Sequence, residues 1–370
     1  MEIIFTFIQN TGNLIFFYII PTVVVLGIMI FFHELGHFLA AKYFNVKVLK
    51  FALGFGPRIT AREWGETEYS IRYFPLGGFV KMLGEDETDE ESQDITPEDE
   101  QRAFNHQYPL KRIVIVAAGP VFNILLAWVL FFGLFMVKGD LIAPSKITEV
   151  TEGTPAETAG LKAGDVILSA QDINIENLGE LHSIIDERIG LPLSLIVRRG
   201  ERNISVTVIP EEHITKNEFG EEVKTGRIGI AGRYERVRLN PLEAVQTAYV
   251  ETVRWIKLTC LVVVKLFQGV VPFKTVGGPL MIGQMTGEIV QESVGSLVPV
   301  MAIISINLGI LNLLPIPILD GGVILFLLFE LILRRPISLD KQELAQKIGL
   351  SLLILLMIFV FYNDILRFIK

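Results

Sequence analysis

Four apolar stretches govern what this chain can fold into: about Leu14–Ala41, Arg112–Val137, Leu297–Leu319 and Ile348–Phe361. A helix needs roughly 20 apolar residues to cross a bilayer, and in lipid only helices and closed barrels satisfy their own backbone hydrogen bonds. The sequence therefore predicts a polytopic α-helical membrane protein with four transmembrane helices. Composition agrees, with 51% hydrophobic and only 20% charged residues, where a soluble domain carries about 25% charge. The first stretch has no Lys or Arg before Lys42 and is too long for a signal peptide, so it reads as a retained span. Cys260 stands alone, which excludes a scaffold built on internal disulfides.

Basic residues beside the spans set the orientation. Lys42, Lys47, Lys50, Arg58, Arg62, Arg72, Lys81, Lys111 and Arg112 follow the first span, and Arg334, Arg335, Lys341 and Lys347 lie between the last two. The positive-inside bias puts those loops in the cytoplasm, and the N-terminus and residues 139–296 outside. A further stretch, Ala244–Val271, contains Glu251, Arg254, Lys257 and Lys265 and suits a helix lying on the membrane surface. The formal charge of −8 is local: residues 84–101 hold ten Asp or Glu and no Lys or Arg, which leaves +2 elsewhere. That insert reads as solvated and mobile, and the balance argues against a nucleic-acid partner.

The expected division is a first helix in 1–44, a cytoplasmic loop with a membrane-associated β-hairpin in 45–111, and a second helix in 112–138. An extracytoplasmic α+β domain follows in 139–232 and an amphipathic surface linker in 233–296. A third helix occupies 297–322, a cytoplasmic loop 323–347, and the fourth helix and C-terminus 348–370. The outer domain has strand-like runs at Ser145–Glu149, Asp165–Ala170, Leu193–Arg198 and Ile204–Ile209, with a helix over Leu178–Arg188. Its Gly160-Leu-Lys-Ala-Gly-Asp-Val-Ile167 run resembles the signature of bacterial PDZ domains. That resemblance implies a peptide bound by strand addition near Ile228, Gly229 and Ile230. In the cytoplasmic loop, Trp64-Gly65-Glu66 reads as the turn of the hairpin.

Chemistry concentrates in the first span, at His33-Glu34-Leu-Gly-His37. Histidines at i and i+4 share one face of a helix and can hold one metal ion. In this HExxH spacing the glutamate is placed as a general base and the expected ion is a single Zn²⁺. Ionisable groups inside a membrane helix are costly and mark function. Two histidines leave a tetrahedral site short of a protein ligand. His106 lies in the cytoplasmic loop, and His182 and His213 in the outer domain, so Asp320 in Asn312-Leu-Leu-Pro-Ile-Pro-Ile-Leu-Asp320-Gly-Gly322 is the best donor. At ~1.5 Å per residue, His33 and Asp320 both lie roughly 30 Å along their helices from the external end, provided both helices run from outside to inside.

Together these motifs resemble the site-2 protease family of intramembrane zinc metalloproteases, in its bacterial PDZ-bearing, sigma-E regulator protease branch. The resemblance also rests on Gly54-Phe-Gly-Pro57, Phe74-Pro-Leu-Gly-Gly-Phe-Val-Lys-Met82, Ala117–Ala127 and Asn307–Gly322. It implies that His33, His37 and Asp320 ligate zinc and that Glu34 is the catalytic base. Asn307 and Asn312 would hold substrate or its oxyanion, and the loop over 51–83 would pair with substrate. Phe79, Val80, Lys81 and Met82 would then offer a β-edge to an unwinding helix, while Pro315 frees carbonyls near the metal. The substrates implied are single-span membrane proteins, such as anti-sigma factors or remnant signal peptides, cut in the bacterial inner membrane toward the cytoplasmic side. This chain departs from many relatives in having Val323 in place of a histidine, and in having room for one PDZ module rather than two.

Two other readings are a membrane-anchored PDZ receptor with a structural metal site and a zinc transporter. The first needs a fourth protein ligand and leaves Glu34 idle. The second needs acidic or histidine residues along other spans, and Arg112–Val137 has none.

Overall fold

The computed structural model describes residues 14–85, 96–217, 219–275 and 277–369. The chain divides into two compact units, Met1–Leu134 with Val245–Lys370, and Phe135–Ala244.

In the first unit a π-helical turn, Leu14–Ile19, leads into α1, Ile20–Tyr43. Two long strands follow, β1 (Val48–Trp64) and β2 (Thr67–Met82). They bend, so that Phe51 of β1 is registered with both Val80 and Tyr69 of β2, and the outer part pairs out to Trp64 and Thr67. The expected hairpin and its turn at Gly65 are therefore present. Residues 86–95 of the acidic insert lie outside the described residues. Its end is exposed but ordered: Pro97–Gln101 forms α2, capped by Thr96, and Asp99 accepts a 2.8 Å bond from Lys47. Proline at the helix start and three acids in its first turn favour that helix.

The apolar run after Tyr108 forms α3, Pro109–Lys138. Glycines let its neighbours approach closely. A Cβ on Gly36 of α1 would lie 2.3 Å from the carbonyl oxygen of Ala118.

The second unit opens with β3 (Asp140–Ile142), β4 (Glu149–Val150) and the short helix α4 (Pro155–Thr158). Next come β5 (Val166–Ala170), β6 (Ile173–Asn174), α5 (Leu178–Glu187), β7 (Leu193–Arg199) and β8 (Arg202–Val208). The remaining strands are β9 (Glu211–Lys216), β10 (Glu222–Arg227), β11 (Ile230–Ala231) and β12 (Glu235–Val237). A four-stranded sheet in the order β6-β5-β7-β8 closes on α5 over Ile147, Ile167, Leu181, Leu193 and Leu195. The alternation in β7, where Leu193, Leu195 and Val197 are buried, is the expected period of two. The predicted strand at Ser145–Glu149 is mostly irregular: Lys146 forms an isolated bridge with Val166 of β5, and β4 pairs with β11. Asp165 is buried beneath Arg199, which donates to both carboxylate oxygens at 2.8 and 2.7 Å. Those bonds hold the Asp165 carboxyl below its ordinary range.

The chain continues through α6 (Pro241–Phe267), α7 (Pro279–Glu292), α8 (Leu297–Asn312), α9 (Asp320–Leu333) and α10 (Leu339–Ile369). A Cβ on Gly309 of α8 would stand 2.8 Å from the Pro120 carbonyl oxygen, so α8 packs closely against α3. Among the described residues, four helical segments are long and apolar enough to cross a membrane: Phe16–Tyr43, Pro109–Lys138, Val294–Asn312 and Asp340–Arg367. α6 is not among them. The exposed apolar side chains along α10, such as Leu355 at 71% and Ile358 at 65%, call for a lipid rather than an aqueous surround. Asp364 is buried on this helix, where it accepts bonds from the backbone N–H groups of Gly278 and Met281 at the start of α7. A helix N-terminus is a natural partner for a carboxylate.

The third span ends earlier than predicted. α8 stops at Asn312 because Leu314 and Ile316 precede prolines, which disfavours helical backbone there. Asp320 instead begins a separate helix, α9, so the count along one continuous helix fails. The expected loop 323–347 is largely helical, and α10 starts at Leu339 rather than at 348.

Candidate metal centre

α1 places His33 and His37 one turn apart, both buried, with ring centroids 4.8 Å apart and Nε2 atoms 3.3 Å apart. His37 Nδ1 lies 3.0 Å from the Ile115 carbonyl oxygen of α3. A carbonyl only accepts, so Nδ1 carries the proton and Nε2 presents a lone pair. Asp320, the first residue of α9, lies 3.2 Å from His33 Nε2 through Oδ2 and 3.6 Å from His37 Nε2 through Oδ1. Asn312, the last residue of α8, brings its amide nitrogen to 3.3 Å from His33 Nε2. Three helices thus meet at one cluster.

Glycines make the convergence sterically possible. A Cβ on Gly119 would lie 2.3 Å from His37 Nε2. Cβ atoms on Gly321 and Gly322 would fall 2.3 Å from the carbonyl oxygens of Leu313, Leu314 and Ile316. The turn over 313–319 therefore folds directly onto the first turn of α9 and presents Asp320 at its tip.

The donor set fits a zinc ion. Bonds of about 2.0–2.1 Å in a tetrahedron put neighbouring ligand atoms about 3.3 Å apart. The three side chains each offer an atom within 4.8 Å of the others, and the separations above are 3.2 to 3.6 Å. Asp320 Oδ2 is buried yet accepts no hydrogen bond. An anion without a donor, facing two imidazole nitrogens, is arranged for a cation. Among the described residues no fourth His, Cys, Asp or Glu joins the group, which matches the open position of catalytic zinc sites rather than the closed shell of structural ones.

Glu34 turns toward the β2 edge, close to the Val80 N–H. A Cβ on Gly78 would stand 3.0 Å from Glu34 Cγ, so this edge fits tightly against it. The four expected edge residues divide by face. Val80 and Met82 are buried among Ala41, Phe51, Ile115 and Leu327. Phe79 and Lys81, with part of Val80 and with Lys50, Arg72 and Glu85, line an open cavity of about 450 Å³, and the Arg72 guanidinium lies 4.9 Å from the Phe79 ring centroid. The Met82 N–H is taken by Glu85 at 3.1 Å.

Other expected site residues stand apart from this cluster. Asn307 accepts a 2.7 Å bond from the Thr259 hydroxyl of α6, and Pro315 sits in the turn between α8 and α9. In the second unit Ile228 is a core side chain at 2% exposure, so it cannot offer that side chain to a peptide. The carbonyls of Ile228 and Gly229 accept from Ala156 and Thr151, and Ile230 pairs with Val150. One residue was missed. Asn123 of α3 is fully buried with its amide nitrogen 3.3 Å from His33 Nδ1. Its only signal was a polar side chain in an otherwise apolar span.

The family model for Peptidase family M50 matches residues 21–356. The chain belongs to peptidase family M50. M50 is the site-2 protease family to which the sequence motifs point. Relatives provisionally named zinc metalloproteases include one from Campylobacter jejuni, 37% identical over 95% of this chain and 94% of its own length. Another from Agrobacterium fabrum is 30% identical over 94% and 95%, and one from Clostridium acetobutylicum is 34% identical over 95% and 98%. Among solved structures, the PDZ domain of an SdrC-like protein from Listeria monocytogenes is 19% identical at a TM-score of 0.19. It covers 25% of this M50 chain and 85% of its own. A likeness of that strength adds nothing to the strand order described above.

Proposed function

We propose that this membrane protein is an intramembrane zinc metalloprotease that hydrolyses peptide bonds within or beside the transmembrane segments of single-span membrane proteins. The observation that carries this reading is the convergence of His33, His37 and Asp320 from two apolar segments at one buried point, with Glu34 adjacent. His33, His37 and Asp320 would hold one zinc ion, which when bound acidifies water and polarises a carbonyl. Glu34 accepts the water proton and passes it to the leaving nitrogen. The Asn312 amide, 3.3 Å from His33 Nε2, would donate to the oxyanion.

A helical substrate hides its carbonyls, so cleavage requires replacement hydrogen bonds. The β2 edge over Phe79–Met82 supplies them by strand addition. The Met82 N–H already serves Glu85 and the Val80 N–H lies close to Glu34, so an arriving strand exchanges partners with the Glu85 carboxylate. The turn carrying Pro315 and Pro317 presents Asp320 with its own Leu314, Ile316 and Leu319 carbonyls already accepting backbone bonds, and Asn307 steadies α8 against α6.

The positive-inside bias supports a multi-pass inner-membrane protein with the N-terminus and the α+β unit outside and release of a cytoplasmic product. The GLKAGD turn supports a PDZ-like peptide-binding role for that unit, by an edge other than Ile228–Ala231, whose backbone is already paired with Glu149–Thr151 and Ala156. The test is co-expression with tagged single-span proteins. A fragment should appear with the native chain and be absent with Glu34→Gln, while Glu34→Gln keeps its zinc and His33→Ala loses it. Fragments that persist after Glu34→Gln would end the proposal.

A further inference from the structure

One face of α3 serves both histidines. Ile115, Gly119 and Asn123 recur at i, i+4 and i+8, and they meet His37 and His33, themselves at i and i+4 on α1. Ile115 accepts from His37 Nδ1, and Gly119 leaves room for the same ring. Asn123 stands opposite the other ring, with Nδ2 3.3 Å from His33 Nδ1 and Oδ1 buried without a partner.

That pairing does not suit the chemistry of His33. If Nε2 keeps a lone pair for a metal, Nδ1 must carry the ring proton. An amide NH₂ would then face an N–H, while a buried carbonyl oxygen on the same side chain goes unused. Unsatisfied buried acceptors cost about 1–3 kcal/mol. Turning the carboxamide half a revolution lets Oδ1 accept from Nδ1–H, and moves the NH₂ to where the unpartnered oxygen stood. The oxygen and nitrogen of an amide are distinguished only by their hydrogen bonds. The backbone of Asn123 is already anchored, since its carbonyl accepts a 2.8 Å bond from Ser305 of α8.

We infer that Asn123 is a positioning residue for the metal centre: its carboxamide oxygen holds the Nδ1 proton of His33 and so aims the Nε2 lone pair at His37 and Asp320. This rests on the reading of His33 as a metal ligand. It gives His33 the orienting acceptor that Ile115 gives His37, one from a side chain and one from the backbone. Partners of this kind are worth about 10–100-fold in metal affinity.

The test is zinc affinity of the purified full-length protein in detergent, by competition with a chromophoric chelator, alongside the melting temperature of the metal-stripped form. Asn123→Leu and Asn123→Ala both remove the acceptor, one filling the space and one emptying it. Both should weaken zinc binding about 10–100-fold without lowering the melting temperature of the stripped protein in parallel with that loss. Asn123→Asp keeps an oxygen in place and, as a charge-assisted acceptor, should bind zinc at least as tightly as the native chain. Ser305→Ala, which loses only the bond to the Asn123 backbone, should bind normally. Native affinity in Asn123→Leu or Asn123→Ala, or an equal loss in Asn123→Asp, would overturn the inference. His33→Ala separates the two claims. If it binds zinc normally, the ligand assignment itself fails; if it loses zinc while Asn123→Leu does not, only the role of Asn123 falls.

Discussion

Adding one methyl group at Gly119 tests whether the metal centre is built by close packing of α3 on α1. The new Cβ would lie 2.3 Å from His37 Nε2, 2.5 Å from its Cε1 and 2.9 Å from its Cδ2. An ordinary contact is about 3.5 Å, so the ring must retreat by about 1 Å. Zinc–nitrogen bonds tolerate a few tenths of an ångström. Gly119→Ala should therefore displace a ligand rather than merely crowd it, with zinc affinity down at least about 10-fold and cleavage down about 100-fold. Helix propensity works in the opposite direction, since alanine is favoured over glycine by up to about 1 kcal/mol within a helix. Gly133 supplies the matched control, because it lies on the same helix and a Cβ there meets nothing within 4 Å. Gly133→Ala should keep zinc and activity and gain a little stability. Metal content by mass spectrometry, chelator competition and reporter cleavage read the pair. Native zinc affinity and activity in Gly119→Ala would refute the packing argument.

Three further outcomes follow from the structure. Arg102 and Lys42 bond Glu66 at the hairpin turn and pull its pKa to about 2, so its contribution is present above about pH 4.5 and is lost as pH falls toward 2. Discounted for partial exposure, that is about 1 kcal/mol; hydrogen exchange at residues 62–69 should rise on acidification in the native chain and much less in Glu66→Gln. Asp165→Asn removes a buried acceptor of Arg199, and should cost the second unit about 2 kcal/mol, read as faster proteolysis within 139–232. Val80→Pro removes an N–H of the β2 edge close to Glu34. It should reduce cleavage of a helical substrate more than that of an already unwound one, and an equal loss would reject strand addition.

What the sequence made legible follows from how local each signal is. The i, i+4 spacing of His33 and His37 needs only a helix, and α1 provides one. The hairpin turn at Gly65 and the alternation in β7 were visible for the same reason. Asp320 was legible as a residue but not as a location. Two prolines end α8, and a continuous helix count cannot anticipate that the chain starts again in α9. Asn123 was illegible because an amide in an apolar span has many uses, and only the approach of α3 to α1 specifies one. Ile228 was misjudged because a strand with one face in a core looks the same in sequence as one with a free face.

The break at 313–319 also makes the metal centre a fastening. α9 has 14 residues, about 21 Å of helix and too short to span a bilayer alone. Besides the metal-facing Asp320 at its first residue, it is gripped two turns and more along by Glu330, which receives Arg112 of α3 in a half-sheltered ion pair. Zinc bound by Asp320 would rivet the near end of this helix to α1, and by mass action a ligand that binds only the docked arrangement strengthens it in proportion to its occupancy. Loss of the ion would then loosen a helix as well as silence a reaction, and the apo protein would be the more readily clipped between 313 and 338.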